Sequence, residues 1–231
     1  MKICIDAGHN NSGWDTGAEG HGLREQDINW NIAKRIRELL ESNGHQVILT
    51  RAFQKQNLGT DVNSSLRKRV DTSNFHNCDL FVSVHCNAGG GTGTEVLVIK
   101  KGGKAEEFAK KVLNKITQEL STYNRGVKEA NLYVLRETNC PAILIETAFI
   151  DNENDAQILK TRYNDIAEAI VEGIIGKELT KEITEITEIV SELANRGIIT
   201  NKELWLEKLK VDKDVYWLAM KTANYVKLEV K

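Results

Sequence analysis

The sequence predicts an α/β protein with a mostly parallel, twisted sheet flanked by helices, followed by a small all-α C-terminal domain. Up to about residue 176, short apolar segments rich in β-branched residues alternate with longer segments whose apolar residues recur at helical spacing. Beyond that point only the helical pattern continues. A chain of 231 residues is long enough for one α/β domain and a small appendage. We therefore expect one domain at residues 1–176 and a second at residues 177–231.

The strands are predicted from short apolar runs that end in polar or glycine-rich loops. The central one is DLFVSVH at residues 79–85, which is followed by a loop with four glycines between residues 87 and 93. Its continuous apolar character is typical of a buried strand in a parallel sheet. Further strands are predicted at residues 2–6, 46–50, 94–99 and 142–146, and the one at 94–99 is a candidate antiparallel edge strand.

The helices are predicted from apolar stripes with a period near 3.6 residues. The first one begins near Leu23 or Arg24, has Glu25 in its first turn, where an acid suits the helix dipole, and stops at Gly44. The other helices of this domain are predicted at residues 64–74, 105–120, 155–159 and 166–175, and Gly176 ends the last of them. In residues 177–231, Gly197 is a helix stop, residues 200–203 form a capping-box pattern, and Asp212 is a candidate cap for a third helix.

Composition excludes several classes of partner. The formal net charge of −2 gives no long-range attraction to nucleic acid or to an anionic membrane, and no apolar run is long enough for membrane insertion. The four cysteines have no CxxC spacing, which indicates reduced thiols. The sequence opens directly into a strand, so we expect no signal peptide and synthesis in the bacterial cytoplasm.

Three predicted strands lead into residues of the types that commonly bind metals. Residues 2–6 run into His9, the central strand ends at His85, and residues 142–146 end at Glu146. Ligands of open α/β sheets bind outside the carboxyl ends of the strands, so parallel strands would bring these side chains to one edge. Two imidazoles and a carboxylate at that edge indicate a metal site.

A catalytic zinc site usually has three protein ligands and an open position for water. His9 and His85 supply two, and the candidate third is Glu25 in the first turn of the helix after the His9 loop. Glu146 is then the candidate general base. In the alternative interpretation the histidines are hydrogen-bonded residues at strand ends, and Glu25 only favours the helix dipole. Glu146 fits that alternative less well, because a buried carboxylate without a partner is costly.

Three neighbouring residues have to be placed relative to this edge. Asn87 and His21 are candidates to line the substrate site, although a loop position in solvent explains His21 as well. Cys86 is not expected to bind the metal, because adjacent residues of a strand point to opposite faces and His85 already faces the site.

A set of motifs along residues 1–176 resembles one enzyme family. The motifs are IDAGH (5–9), GLRE (22–25), LTR (49–51), SVHCNA (83–88), RGVK (125–128), YVLR (133–136), PAILIE (141–146) and FIDN (149–152). Together they resemble the zinc-dependent N-acetylmuramoyl-L-alanine amidases of bacteria and their phages. Two departures are Cys86, where a smaller residue is usual, and Thr147-Ala148 in place of a glycine-containing pair.

The resemblance implies that His9, Glu25 and His85 bind zinc and that Glu146 is the catalytic acid. The implied substrate is bacterial peptidoglycan, hydrolysed at the amide between N-acetylmuramic acid and L-alanine. Alternatives are a zinc carboxypeptidase that acts on stem peptides and a catalytically inactive wall-binding module. Without a signal peptide, a phage or prophage endolysin that reaches the cell wall after release is expected, with a cytoplasmic recycling amidase as the competing location.

The C-terminal part resembles, over residues 195–205 and 216–217, a small helical module appended to some clostridial and phage wall hydrolases. Its helices carry more apolar surface than so small a bundle can bury. We therefore expect this domain to bind the cell wall, to pack on the first domain, or to form a homo-oligomer.

Overall fold

The computed structural model describes residues 1–179, 190–202 and 204–205. The chain divides into two compact units, of which the first comprises Met1–Glu41 and His45–Lys177 and the second Ser42–Gly44 and Glu178–Lys231. None of the helices in the described ranges has the length and apolar content needed to cross a membrane.

The first unit has a six-stranded sheet at its centre and a separate two-stranded ribbon before its first helix. The strands are β1 (Lys2–Ala7), β2 (Glu19–Gly20), β3 (Leu23–Arg24), β4 (Gln46–Leu49), β5 (Leu80–Asn87), β6 (Thr94–Val98), β7 (Asn124–Glu129) and β8 (Ala142–Phe149). The order in the sheet is β4-β1-β5-β8-β6-β7, and β2 and β3 form the ribbon. The predicted α/β class with a mostly parallel sheet is confirmed.

The sheet is parallel from β4 to β8 and reverses direction once. β1 pairs in parallel with β4 and β5, and β5 with β8, whereas β6 is antiparallel to β8 and parallel to β7. The carboxyl ends of β1, β5 and β8 therefore meet at one edge, where β6 and β7 begin. The expected antiparallel direction of β6 is correct, but its expected edge position is wrong, because β7 lies outside it.

Two of the predicted strands continue past their predicted last residues. β5 runs to Asn87 and β8 to Phe149, so His85 and Glu146 lie inside the strands. The pairing shifts register between His85 and Asn87, which marks a β-bulge at this point.

Helices cover both faces of the sheet. They are α1 (Glu25–Ser42), α2 (Val62–Phe75), α3 (Lys104–Leu120), α4 (Tyr133–Arg136), α5 (Glu153–Thr161) and α6 (Tyr163–Ile175). The predicted apolar stripe of α1 is buried, and Gly176 ends α6 in the left-handed conformation at φ 70°. α3 and α6 pack so closely that there is no room for a side chain at Gly173, where an added Cβ would lie 2.5 Å from the Cα of Val112.

One apolar cluster shows which residues share a face of the sheet. Residues of α2 and α4 pack there against Cys4, Phe81 and Leu144, which lie on β1, β5 and β8. Because side chains alternate along a strand, His85 and Glu146 belong to the same face as Phe81 and Leu144. Cys86 has the opposite orientation, as expected, and its Sγ lies 3.5 Å from the Oδ1 of Asn29 in α1.

In the described residues of the second unit, one helix ends where it is predicted to end, and the next helix starts one residue later than predicted. Residues 190–195 are helical, and Gly197 follows at φ 70°, as expected for a stop. The next helix is capped by Asn201, whose Oδ1 accepts a hydrogen bond from the backbone N–H of Leu204 at 3.0 Å, instead of by Thr200. The third helix predicted from Asp212 lies outside the described residues.

Candidate metal and catalytic site

Three of the residues singled out in the sequence lie together at the carboxyl edge of the sheet. One ligand atom each from His9, Glu25 and His85 lies within 4.8 Å of the others. The Oε1 of Glu25 is 3.2 Å from the Nε2 of His9 and 3.0 Å from the Nδ1 of His85. The two imidazole rings meet edge to face, with centroids 4.8 Å apart. This donor set could hold a divalent metal ion.

Short loops and glycines allow the three side chains to meet. His9 follows β1 in the left-handed backbone region, at φ 64°, which turns its side chain back toward the sheet edge. A Cβ added to Gly8 would lie 2.3 Å from the Cε1 of His85, and one added to Gly17 would lie 2.6 Å from the Oε2 of Glu25. Both positions therefore need glycine for the site to close.

The carboxylate of Glu25 is held from several directions. Its Oε2 accepts a hydrogen bond from the backbone N–H of Ala18 at 2.8 Å, and its Oε1 accepts one from the N–H of Cys86 at 3.1 Å. Burial alone would raise the pKa of Glu25, but hydrogen bonds to His85 and His9 outweigh it, and the pKa is lowered. Glu25 is therefore an ionised carboxylate fixed between two imidazoles.

Asp15 is a member of the site that the sequence reasoning missed. Its Oδ1 lies 3.2 Å from the Nδ1 of His9, so the Nε2 of that ring is the atom that faces Glu25. Burial alone would lower the pKa of His9, but the hydrogen bonds to Asp15 and Glu25 have the larger effect and raise it to about 9. A carboxylate behind an imidazole in this way fixes the ring and its tautomer.

Asp15 is itself held by the body of the domain. Its Oδ2 accepts a hydrogen bond from the Oγ of Ser65 at 2.5 Å and lies 3.2 Å from Nη2 of Arg69. Arg69 is buried in α2, and its Nη1 is 2.7 Å from Oδ1 of the fully buried Asp6 in β1. Although burial opposes it, these partners and His9 lower the pKa of Asp15 to about 2. The orientation of His9 is thus tied to the packing of α2 on the sheet.

Glu146 lies beside this cluster on the neighbouring strand. It is the direct register partner of His85 in the β5–β8 pair, and the two side chains share a face. Its Oε2 is buried and has no hydrogen-bond partner. Burial raises the pKa of Glu146, and the negative charges of Glu25 and Glu95 add to that effect. Such a carboxyl group is suited to accept and return a proton.

The two other candidates form their hydrogen bonds with residues outside the three clustered side chains. Asn87 donates a hydrogen bond from Nδ2 to Oε1 of Glu95 at 3.4 Å, on the side of Glu146. His21 is exposed, with its Nε2 3.3 Å from the backbone oxygen of Asp151. Asn87 therefore lies at the end of β5, on the side of Glu146, and His21 lies in the turn between β2 and β3.

Comparisons with known proteins identify the family of the chain. Residues 3–176 match the model of the family described as N-acetylmuramoyl-L-alanine amidase. The chain is 38% identical over 164 residues to such an amidase of Bacillus licheniformis, an alignment that covers 70% of this chain and 61% of the relative. It is 37% identical over 182 residues to the endolysin of Bacillus phage SPP1, covering 74% of this chain and 64% of the endolysin. The chain thus spans less than two thirds of the length of these curated relatives.

Solved structures have the same fold. An N-acetylmuramoyl-L-alanine amidase of Nostoc punctiforme superposes with a TM-score of 0.66 at 34% identity, covering 76% of this chain and 96% of that one. The catalytic domain of an endolysin described as targeting Clostridia difficile superposes with a TM-score of 0.68 at 32% identity, covering 78% of this chain and 99% of that one. The family resemblance of the sequence motifs is confirmed, and the chain belongs to the N-acetylmuramoyl-L-alanine amidase family.

Proposed function

We propose that this chain hydrolyses the amide bond between N-acetylmuramic acid and L-alanine in bacterial peptidoglycan, with zinc as its cofactor. The observation that carries the proposal is the pairing of His85 with Glu146 across two parallel strands. It places a carboxyl group with an unpartnered buried oxygen beside a cluster of two imidazoles and a carboxylate. Family membership over residues 3–176 supports the same reaction.

Zinc suits the donor set of His9, Glu25 and His85. Two ligand atoms held at about 2.0–2.1 Å from a tetrahedral zinc ion lie about 3.3 Å apart. The Oε1 of Glu25 lies 3.2 and 3.0 Å from the two imidazole nitrogens that face it. When bound, zinc supplies a Lewis acid that polarises the amide carbonyl and lowers the pKa of a water molecule to about 7.

The side chains have distinct roles in this proposal. His9, Glu25 and His85 bind the metal, and Asp15 positions His9 through its Nδ1. Glu146 accepts a proton from the attacking water and passes it to the leaving amide nitrogen. Asn87 and His21 are retained as proposed substrate-lining residues.

The biological setting is part of the proposal. The similarity to the endolysin of Bacillus phage SPP1 supports a lytic role at the cell wall, reached after release from the cell that makes the protein. We assign residues 1–176 to catalysis and residues 177–231 to wall binding or self-association.

Digestion of purified peptidoglycan followed by mass spectrometry tests the reaction. An amidase releases stem peptides that begin with a free L-alanine amine and leaves a lactyl carboxylate on the glycan. A carboxypeptidase would release single amino acids from the other end of the peptide, and a wall-binding module would release nothing. Glu146→Gln protein, purified in the same way, is the control for contaminating hydrolases. Loss of product with a chelator and its recovery with zinc, but not with magnesium, tests the cofactor.

A further inference from the structure

A row of polar side chains continues past Glu146 to the far edge of the sheet. In the antiparallel β6–β8 pair, Glu95 is the register partner of Glu146, so its side chain lies on the same face. Leu97, two residues farther along β6, shares that face and is the register partner of Lys128 in β7. The face that holds His85 and Glu146 therefore extends through Glu95 to Lys128.

Glu95 forms ion pairs with two cations at the start of β6 and β7. Its Oε2 lies 2.7 Å from the Nε of Arg125 and 2.6 Å from the Nζ of Lys128. Two positive charges on one carboxylate leave the group with a net charge of +1. Burial would raise the pKa of Glu95, but Lys128 and Arg125 lower it, so Glu95 is ionised and holds both cations in place.

The two cations are fixed but still accessible. Arg125 stacks over the ring of Phe149, with its Cζ 4.8 Å from the ring centroid, and donates from Nη1 to the backbone oxygen of Thr92 at 3.2 Å. The Lys128 side chain is 44% exposed, whereas that of Glu95 is 10% exposed. An ammonium group has three N–H donors, and one contact with Glu95 leaves the others for a ligand.

Because one cation would already neutralise Glu95, the second is in excess of what the fold needs. On the basis of the proposed function, we propose that Arg125 and Lys128 form a subsite for a carboxylate on the peptide part of the substrate. The recognised ligand is an acidic peptide whose carboxylate lies two or three residues from the scissile amide. Neighbouring strands are about 4.8 Å apart, so β7 lies about 10 Å beyond β8, which an extended peptide spans in about three residues.

The loops on the β4–β1 side of the sheet differ in chemistry from the β6–β7 side, which gives the substrate a direction. There, the loop after β1 and the loop before α2 line a cavity of about 320 Å³ that includes Trp14, Asn57 and Asp61. Trp14 is exposed, and the only carboxylate lining this cavity, that of Asp61, is already used to cap α2. A surface with an exposed aromatic ring and amide groups and without cations suits a sugar, so the anionic peptide is directed toward Arg125 and Lys128.

The experiment compares three soluble N-acetylmuramoyl tripeptides. One has carboxamides in place of all its peptide carboxylates, and the others restore a single carboxylate on the second or the third residue. We expect the wild-type protein to prefer one carboxylate form over the carboxamide form by about 5- to 10-fold in kcat/KM, mainly through KM, as one half-exposed charge-assisted contact allows. Lys128→Gln should abolish this preference, and Lys128→Arg should retain it.

Two controls separate the subsite from other effects. Lys110→Gln removes the same charge from an exposed position on α3, where it pairs with Glu106, and should leave the preference unchanged. Calorimetric binding of the three compounds to Glu146→Gln protein, with and without Lys128→Gln, tests recognition without turnover. If no compound is cleaved but binding still depends on Lys128 and the carboxylate, the proposed reaction fails and the subsite stands. If the compounds are cleaved and bound equally well, or if Lys128→Gln weakens all three alike, the subsite is refuted.

Discussion

Replacing Glu146 by glutamine should make the protein more stable at neutral pH while it slows the proposed reaction. Its Oε2 is buried without a hydrogen-bond partner, and burial raises the pKa of the group above the ordinary 4.5. Below about pH 4.5 the carboxyl group is protonated in the folded and the unfolded protein alike. As the pH rises through and above that value, the unfolded chain ionises more readily than the folded one, so the folded state loses stability. Glutamine has nearly the same shape and does not titrate.

The size of the effect follows from the difference between the pKa of Glu146 in the folded and in the unfolded protein. Each pKa unit of that difference corresponds to about 1.4 kcal/mol of stability at neutral pH. For a domain of 150–250 residues, each kcal/mol changes Tm by about 2–4 °C, so each pKa unit gives about 3–6 °C in favour of glutamine at pH 7. The same substitution removes a general acid–base group worth about 10²–10⁴ in rate.

Thermal unfolding of both proteins with a chelator present, between pH 4.5 and pH 8, measures the stability difference. The difference should grow with pH and vanish near pH 4.5. Glu107→Gln, at an exposed position of α3, is the control for a change of net charge. Equal stability at pH 7, or a glutamine protein that is less stable at every pH, would show that Glu146 is satisfied in the folded protein and would refute the reasoning.

Further predictions concern the metal, its support and the C-terminal domain. His85→Ala should abolish both zinc binding and activity, and stoichiometric zinc in that variant by elemental analysis would remove His85 from the ligand set. Asp15→Asn should weaken zinc binding by about 10- to 100-fold in a chelator competition, since a ligand loses its charged partner; an unchanged affinity would contradict the positioning role. Arg69→Met should lower the free energy of unfolding by about 3–5 kcal/mol in urea titrations, because it strands the buried Asp6 carboxylate; a loss below 1 kcal/mol would argue against it. A chain ending at residue 176 should cleave soluble muropeptides at the full-length rate but act more weakly on intact walls, because the tether is missing; equal lysis by both chains, with no change of assembly in light scattering, would remove both proposed roles of residues 177–231.

Local patterns fix the positions of three of the proposed site residues. His9, His85 and Glu146 follow or end apolar runs, so strand polarity alone brings them to one edge of the sheet. Asp15 was missed because nothing in its neighbourhood shows that its loop closes back on His9, which is a tertiary property of the glycine-containing segment. The β7 strand was missed because its sequence, NRGVKE, is mostly polar, and its pairing with β6 makes it an edge strand. The subsite proposed at Arg125 and Lys128 could not be inferred without that pairing.

The position of β8 in the sheet has a consequence for how the protein matures. β8 is the last strand of the described residues, yet it lies between β5 and β6 and joins β4-β1-β5 to β6-β7. The three proposed metal ligands precede residue 86, whereas Glu146 enters with the strand that completes the sheet. A chain still emerging from the ribosome, or one whose last strand has detached, therefore has no proton acceptor at the site even where the imidazoles are in place. The proposed hydrolysis therefore requires the complete fold, and an incomplete copy of the chain is expected to be harmless to the cell that makes it.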